Sequence, residues 1–168
     1  FDETYELTKR ALRYGLTTPI DKDELLREKR TRALELLRPS GISQDQAIRL
    51  WTTFGEEYLL RCKPEEIALQ TMLFKDFDIT ADETLVDIQD SKATAGTNAF
   101  IYAPQKQFTF ALATAALDEF GLSITDARII PLANEHSLSM YTILEQDGKA
   151  INDEPRREKI RQRLARAI

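Results

Sequence analysis

The segment 98–144 constrains the fold most, because strand-like and helix-like patterns alternate along it. Residues 98–104 form an apolar run that predicts a strand, and Pro104 ends it because proline lacks a backbone donor. Residues 108–120 carry apolar side chains at helical spacing, and Gly121 follows where a left-handed cap is expected. Two further strands are predicted, at 122–132 and 137–144. The segment therefore predicts the order βαββ.

A helical pattern at 153–168 follows these elements. The order βαββα is most of the ferredoxin-like βαββαβ plan, so the predicted class is α+β with the last strand missing. A short β-branched run at 84–89 predicts one more strand, which could lie at the sheet edge where the missing strand would be. Residues 90–97 are rich in Ser, Ala, Thr and Gly and predict a flexible connection.

Helical signals dominate the preceding residues. Leu7, Ala11 and Tyr14 predict a helix over 1–16, Asp21 with Glu24 resembles a capping box, and the same signal recurs at Ser43. Pro64 opens another helix, and Trp51, Phe54 and Tyr58 are the expected core anchors. Ile48 and Met72 are also placed on apolar helix faces. We predict a helical linker region at 1–80, a strand and connection at 81–97, and an incomplete domain at 98–168.

Composition excludes several classes of protein. The single cysteine allows no intrachain disulfide and favours the cytoplasm, and no run of apolar residues predicts a membrane span. Residues 81–152 carry 4 basic and 10 acidic side chains, which argues against nucleic acid as a partner. The chain opens on Phe1 and stops within a helical pattern, so we expect a fragment of a longer protein.

Catalytic and metal-binding constellations are not evident in the sequence. One histidine, His136, and one cysteine, Cys62, cannot supply a metal cluster or a Cys–His pair, and the six glycines form no phosphate loop. We therefore assign no catalytic residue and no cofactor to the chain. The basic helix has two interpretations: a solvated surface, or a site for an acidic partner or an anionic membrane. Its cations are Arg156, Arg157, Lys159, Arg161, Arg163 and Arg166.

A candidate ligand site remains at the loop that opens the helix after the first strand of the βαββ unit. The loop consists of Gln105, Lys106, Gln107 and Phe108. Backbone donors at a helix N-terminus attract anionic groups such as an amino-acid carboxylate. Asp126 and Arg128, on the next strand, are possible polar partners of the ligand, or else pair with each other or with solvent.

Two groups of short segments, one in the C-terminal part of the chain and one in the N-terminal part, resemble a known family. Residues 100–104, 110–117, 121–129 and 145–148 look like an ACT domain. They are most similar to the first of two ACT domains in the bifunctional uridylyltransferase/uridylyl-removing enzymes that modify the nitrogen-regulatory PII protein. Residues 10–16, 50–51, 58–61 and 64–68 are similar to the segment that joins the HD hydrolase domain of those enzymes to the ACT pair.

The resemblance implies a regulatory role. In such an enzyme one domain attaches UMP to PII, another removes it, both need Mg²⁺, and glutamine is sensed through the ACT region. The implied partners are glutamine, PII and the other domains of the longer enzyme. The fragment itself would be non-catalytic, and the alternative is a structural module that docks domains or PII without binding a small molecule.

One departure from the family pattern affects the ligand site. Many ACT domains have Asp-Arg-Pro-Gly after the first strand, where this chain has Gln105-Lys106-Gln107-Phe108. Without glycine a ligand cannot approach the backbone as closely, and Phe108 is expected to fill the pocket. The second ACT domain of the longer enzyme is then the alternative glutamine sensor.

Overall fold

The computed structural model describes residues 21–81, 83–90 and 96–168. The predicted helix at 1–16 and the centre of the predicted flexible connection, 91–95, lie outside these residues. The chain divides into two compact units: Phe1–Phe77 with Leu132–Asn134, and Asp78–Pro131 with Glu135–Ile168. We call them the helical unit and the sheet unit. The predicted boundaries at residues 80 and 97 stay a prediction.

Within residues 21–77 of the helical unit, the structure describes four helices with local end signals. They are α1 (Lys22–Leu37), α2 (Gln44–Phe54), α3 (Glu56–Arg61) and α4 (Pro64–Leu73), with a 3₁₀ turn at Arg38–Ser40. The carboxylate of Asp21 accepts the N–H of Asp23 at 2.9 Å, and the hydroxyl of Ser43 accepts that of Gln46 at 3.1 Å. Gly55 separates α2 from α3 at a φ of +96°, a value that only glycine adopts without strain.

The predicted anchors Trp51, Phe54 and Tyr58 are all buried in this unit. The indole N–H of Trp51 donates to Thr71 Oγ1 at 3.0 Å, and the hydroxyl of Tyr58 donates to Gln70 Oε1 at 2.8 Å. Burying an aromatic ring together with a satisfied polar atom adds apolar area without an unpaired donor. The aromatic residues therefore hold α2, α3 and α4 together.

Two residues that were predicted to lie on the covered apolar faces of helices are instead exposed. Ile48 on α2 and Met72 on α4 are each 38% exposed, although the helical spacing placed them with the buried residues. The apolar stripe of each helix is wider than the surface that its neighbours cover.

The sheet unit confirms the predicted α+β class. Its strands are β1 (Leu85–Asp90), β2 (Thr97–Pro104), β3 (Ser123–Pro131) and β4 (His136–Leu144), in the order β1-β2-β4-β3. All three neighbouring pairs are antiparallel. This is the sheet of an ACT-like ferredoxin fold.

Strand β1 lies at the sheet edge where a βαββαβ fold has its last strand. It pairs with β2 from Leu85, opposite Tyr102, to Asp90, opposite Thr97. In a βαββαβ fold the last strand is also antiparallel to the first strand, at this same edge. The predicted edge position of this strand is confirmed, and the strand at this edge precedes the βαββα segment in the chain.

Helices α5 (Thr109–Glu119) and α6 (Glu154–Ala167) pack on one face of the sheet. Gly121 follows the C-terminal end of α5 and has the predicted left-handed backbone, with a φ of +70°. The shared core lies between the two helices and the four strands; its larger members include Val86, Ile101, Leu117, Tyr141, Ile143, Ile160 and Leu164. The segment after β4 is anchored where the N–H of Ile151 donates to the buried Thr97 Oγ1 at 2.9 Å.

Candidate functional site

The loop from Gln105 to Phe108 joins β2 to α5 and is held against the turn that precedes β4. The backbone N–H of Gln105 donates to the carbonyl of Glu135 at 3.0 Å, and its side-chain amide donates to the carbonyl of His136 at 2.9 Å. The hydroxyl of Thr109 donates to the carbonyl of Lys106 at 3.0 Å. The loop is thus fixed at both ends, while its four side chains are exposed.

Phe108 has a left-handed backbone, with φ +69° and ψ +9°. Bulky residues seldom adopt this conformation, which glycine adopts readily. Phe108 therefore holds a conformation that favours glycine, at the position where many ACT domains have glycine in sequence. The expectation that Phe108 fills a pocket is wrong, because its side chain is 67% exposed.

The N-terminus of α5 presents its first backbone donors beside this loop. Phe108 precedes the helix and no side chain caps it, whereas the carbonyl of Phe108 accepts the N–H of Leu112 at 2.9 Å. Uncapped donors and the helix dipole favour a negative group at such a position. The arrangement is suited to a carboxylate but does not specify which molecule carries it.

Asp126 and Arg128 lie elsewhere on the sheet. They pair with Thr142 and Met140 on β4, and the guanidinium of Arg128 contacts Met140 Sδ at 3.5 Å. The β4 residue beside the loop is His136, four positions from Met140, which at about 3.3 Å per residue amounts to about 13 Å. The structure therefore brings Gln105, Lys106, Gln107 and Phe108 together but does not bring Asp126 and Arg128 to them.

Side-chain direction separates the two groups further. Tyr141 and Ile143 belong to the core beneath the helices, and side chains alternate along a strand. Met140 and Thr142, and with them Arg128 and Asp126, consequently point to the face opposite α5. Ligand binding by these residues stays a prediction.

The basic helix α6 uses most of its cations within the sheet unit. Arg156 pairs with Glu145 at 2.6 Å, Arg163 with Glu119 at 2.8 Å, and Arg157 with Asp90. The guanidinium of Arg161 lowers the pKa of Glu158 to about 2 through a short hydrogen bond. Four of the predicted basic residues are thus matched by carboxylates, which favours the solvated interpretation of this helix.

The described residues contain no metal-binding cluster and no membrane-spanning helix. Within 21–81, 83–90 and 96–168, no three His, Cys, Asp or Glu side chains are grouped so that they could hold a metal ion. Nor do those residues contain a helix long and apolar enough to cross a bilayer.

Sequence comparisons connect the chain to one group of proteins. Residues 21–73 match the family model described as "Uridylyltransferase GlnD fifth domain". The chain is 36% identical to the bifunctional uridylyltransferase/uridylyl-removing enzyme of Pseudomonas fluorescens, 37% to that of Pseudomonas aeruginosa and 36% to that of Ectopseudomonas mendocina. Each alignment covers 99% of the chain. The chain belongs to this family.

The chain spans 19% of the length of these uridylyltransferase/uridylyl-removing enzymes. The chain aligns with one region of such an enzyme, and the family model, which matches residues 21–73, covers most of the helical unit. No solved structure matches the chain.

Two features near the site were not found from the sequence. Glu135, in the turn that receives Gln105, also has a left-handed backbone, with φ +65°. Leu112 on α5 is 47% exposed, and no charged residue occurs from Gln107 to Leu117. The lack of charge from Gln107 to Leu117 is a sequence signal from which the exposed apolar side of α5 could have been predicted.

Proposed function

We propose that the chain is a regulatory, non-catalytic segment of a bifunctional uridylyltransferase/uridylyl-removing enzyme. Its ACT-like sheet unit would couple glutamine to the two activities of the longer enzyme, which act on PII in the cytoplasm. The observation that carries this proposal is the alignment of 99% of the chain with enzymes of that name, together with an ACT-like sheet.

The distribution of donor groups supports a role outside catalysis. Both activities are proposed to need Mg²⁺, which favours clustered carboxylate oxygens. Because the described part of the chain offers no such cluster, the metal would be held by other domains of the longer enzyme. The chain alone is then expected to neither add nor remove UMP.

The loop geometry favours glutamine binding that involves more than this domain. The α5 N-terminus can receive a carboxylate, but Asp126 and Arg128 are too distant to hold the other end of the same molecule. Phe108 also places a Cβ where the family pattern has glycine. We therefore expect a complete site only when the second ACT domain is attached.

Calorimetry with glutamine tests this proposal. We expect no measurable binding to the 168-residue chain and clear binding once the second ACT domain is joined to it. In the complete enzyme, Lys106→Ala in the loop is expected to raise the glutamine concentration that switches activity, and Gln162→Ala on α6 is the exposed control. Uridylyl transfer by the isolated chain would refute the non-catalytic role, and glutamine binding to it would refute the argument from the loop.

A docking module without a small-molecule ligand is the second candidate. It is favoured by the exposed apolar residues at the start of α5, where Phe110 is 48% exposed and Phe108 still more. If glutamine control survives every change in the loop, and PII or another domain binds the chain, this candidate replaces the first.

A further inference from the structure

The turn between β3 and β4 is divided between the two compact units. Leu132–Asn134 belong to the helical unit, whereas Pro131 before them and Glu135 after them belong to the sheet unit. The chain therefore leaves the sheet unit for three residues and returns to it through peptide bonds. We call residues 132–136 the shared turn.

Within the helical unit, the shared turn is fixed to the end of α2. The backbone N–H of Ala133 donates to the carbonyl oxygen of Phe54 at 3.0 Å, and Phe54 is the last residue of this helix. The last carbonyls of a helix have no partner inside the helix, so the turn supplies one of the missing donors. Leu132 is only 6% exposed. The shared turn is therefore part of the packed structure of this unit.

Gly55 permits the close approach of the shared turn to α2. A Cβ at position 55 would lie 3.0 Å from the Cβ of Ala133, which is closer than the separation at which carbon atoms attract each other. Gly41 also has a positive φ, but a Cβ there would have no atom within 4 Å. A side chain at position 55 would therefore push the shared turn away from α2, whereas one at position 41 would not.

Within the sheet unit, the shared turn is held by the candidate ligand loop. The carbonyl oxygens of Glu135 and His136 accept hydrogen bonds from the backbone and the side chain of Gln105, at 3.0 and 2.9 Å. Glu135 has a φ of +65°, a conformation that is strained for a residue with a Cβ. Such strain persists only where the surrounding contacts hold the backbone. Loss of the contacts with Gln105 would therefore let Glu135 relax.

One residue, Asn134, separates the two fixed points of the shared turn. Peptide units are planar and consecutive Cα atoms are about 3.8 Å apart, so the path from Ala133 to Glu135 contains few rotatable bonds. Relaxation of Glu135 out of the left-handed region consequently rotates or displaces the N–H of Ala133. The hydrogen bond at the end of α2 is thus coupled to the hydrogen bonds of Gln105.

We propose that the shared turn is a conformational switch, which transmits occupancy of the loop from Gln105 to Phe108 to the helical unit. In the held state, which the structure shows, Gln105 binds Glu135 and Ala133 caps α2. In the released state both contacts are broken, and the end of α2 loses its cap. A ligand that draws the loop toward the N-terminus of α5 favours release. That this ligand is glutamine rests on the proposed function.

Hydrogen exchange of single amides in the 168-residue chain tests the switch without any ligand. Gln105→Ala removes a hydrogen bond to the shared turn, and we expect the amide of Ala133 to exchange about 5-fold faster. Gln107→Ala, exposed on the same loop, is the matched control and should leave Ala133 unchanged. Amides of α6, such as that of Ile160, report overall stability. An unchanged rate at Ala133 in Gln105→Ala, or equal acceleration by the two variants, overturns the proposal.

The reverse direction is tested from the helical unit. Gly55→Ala is expected to displace the shared turn and to speed exchange of the Gln105 amide about 5-fold, because coupling between two sites is reciprocal. Gly41→Ala also places a Cβ on a backbone with positive φ, and it should leave Gln105 unchanged. Circular dichroism verifies that both variants fold, and the Gln105→Ala measurement stands even where Gly55→Ala does not. Equal effects of the two glycine variants would contradict the switch.

Glutamine titration of the complete enzyme separates the switch from the proposed function. Gly55→Ala favours the released state, so it is expected to lower the glutamine concentration that changes activity by about 5-fold, whereas Gly41→Ala leaves it unchanged. If glutamine does not act through the loop while Ala133 still responds to Gln105→Ala, the switch holds and the proposed function fails. If glutamine control persists and Ala133 is independent of Gln105, the switch fails and the proposed function stands.

Discussion

At the scale of single residues, Asp87 lies on β1 with its Oδ2 atom buried and without a hydrogen-bond partner. Burial raises the pKa of this carboxyl group above its ordinary value, and Gln89 and Arg161 offset only part of the effect. An aspartate whose pKa is raised on folding binds more protons in the folded state. Stability consequently falls as pH rises from the unfolded pKa through the folded pKa.

We expect Asp87→Asn to stabilise the protein at pH 7. The amide removes a partly buried charge, and the expected gain in free energy of unfolding is about 1 kcal/mol. The gain should fall away as the pH drops below the unfolded pKa of about 3.9 and be absent near pH 3, where the aspartate is largely protonated in both states. Thermal melts at both pH values measure it, with the exposed Asp126→Asn as control; an equal gain at both pH values would contradict the charge argument.

The residue scale also shows what sequence cannot predict. The left-handed backbone at Gly121 could be predicted, because glycine is the residue that tolerates this conformation, and the structure confirms it. Phe108 and Glu135 adopt the same conformation without any local signal. Their backbones are set by the surrounding turn and by the hydrogen bonds of Gln105.

At the scale of the elements, one lysine ties α1 to the end of α3. The ammonium of Lys29 donates to the carbonyl oxygens of Leu60 at 2.7 Å and Cys62 at 2.9 Å. The last carbonyls of a helix lack intrahelical partners, and a cation there also complements the helix dipole. This contact joins residues far apart in sequence.

We expect Lys29→Met to destabilise the helical unit by about 1.5–3 kcal/mol, the range for hydrogen bonds to a charged group. Lys75→Met is the matched control, because Lys75 Nζ reaches Ser40 O at 3.4 Å and is exposed. Urea unfolding followed by the fluorescence of Trp51, the single tryptophan, reports on this unit. Equal shifts in the two variants would show that the carbonyl contacts contribute nothing specific.

The starts of individual helices were easier to predict from the sequence than the distances between residues on different helices and strands. The caps at Asp21 and Ser43 involve hydrogen bonds within three residues, so the sequence alone locates these helix starts. The distance of Arg128 from the loop depends on strand register, which long-range pairing determines. Helical spacing likewise identified the apolar side of α2 but not how much of it a neighbour covers, which is why Ile48 was misplaced.

At the scale of the whole molecule, the fold depends on a strand taken from outside the βαββα segment. β1 adds Val86 to the core of the sheet unit, and Asp90 pairs with Arg157 of α6. The composition of β1 predicted a strand, and the count of strands in the plan indicated where it was needed. The sheet order confirms that inference.

We expect Val86→Asp to release β1 without unfolding the rest of the sheet. A buried carboxylate in the core costs several kcal/mol, and an edge strand can separate while the inner pairs remain. Hydrogen exchange should quicken at β2 amides that face β1, such as those near Ile101, and stay slow between β3 and β4. The exposed Ser123→Asp, on the opposite edge strand β3, is the control, and uniform loss of protection across all strands would refute separable release.

The edge position of β1 also has a mechanical consequence. The chain enters the sheet unit through β1, which is joined to the sheet by the pairs from Leu85 to Asp90. Tension applied to the chain just before Leu85 therefore loads the β1–β2 pairs before it reaches the pairs between β2 and β4. Under such a pull, this edge strand is the first part of the sheet to yield.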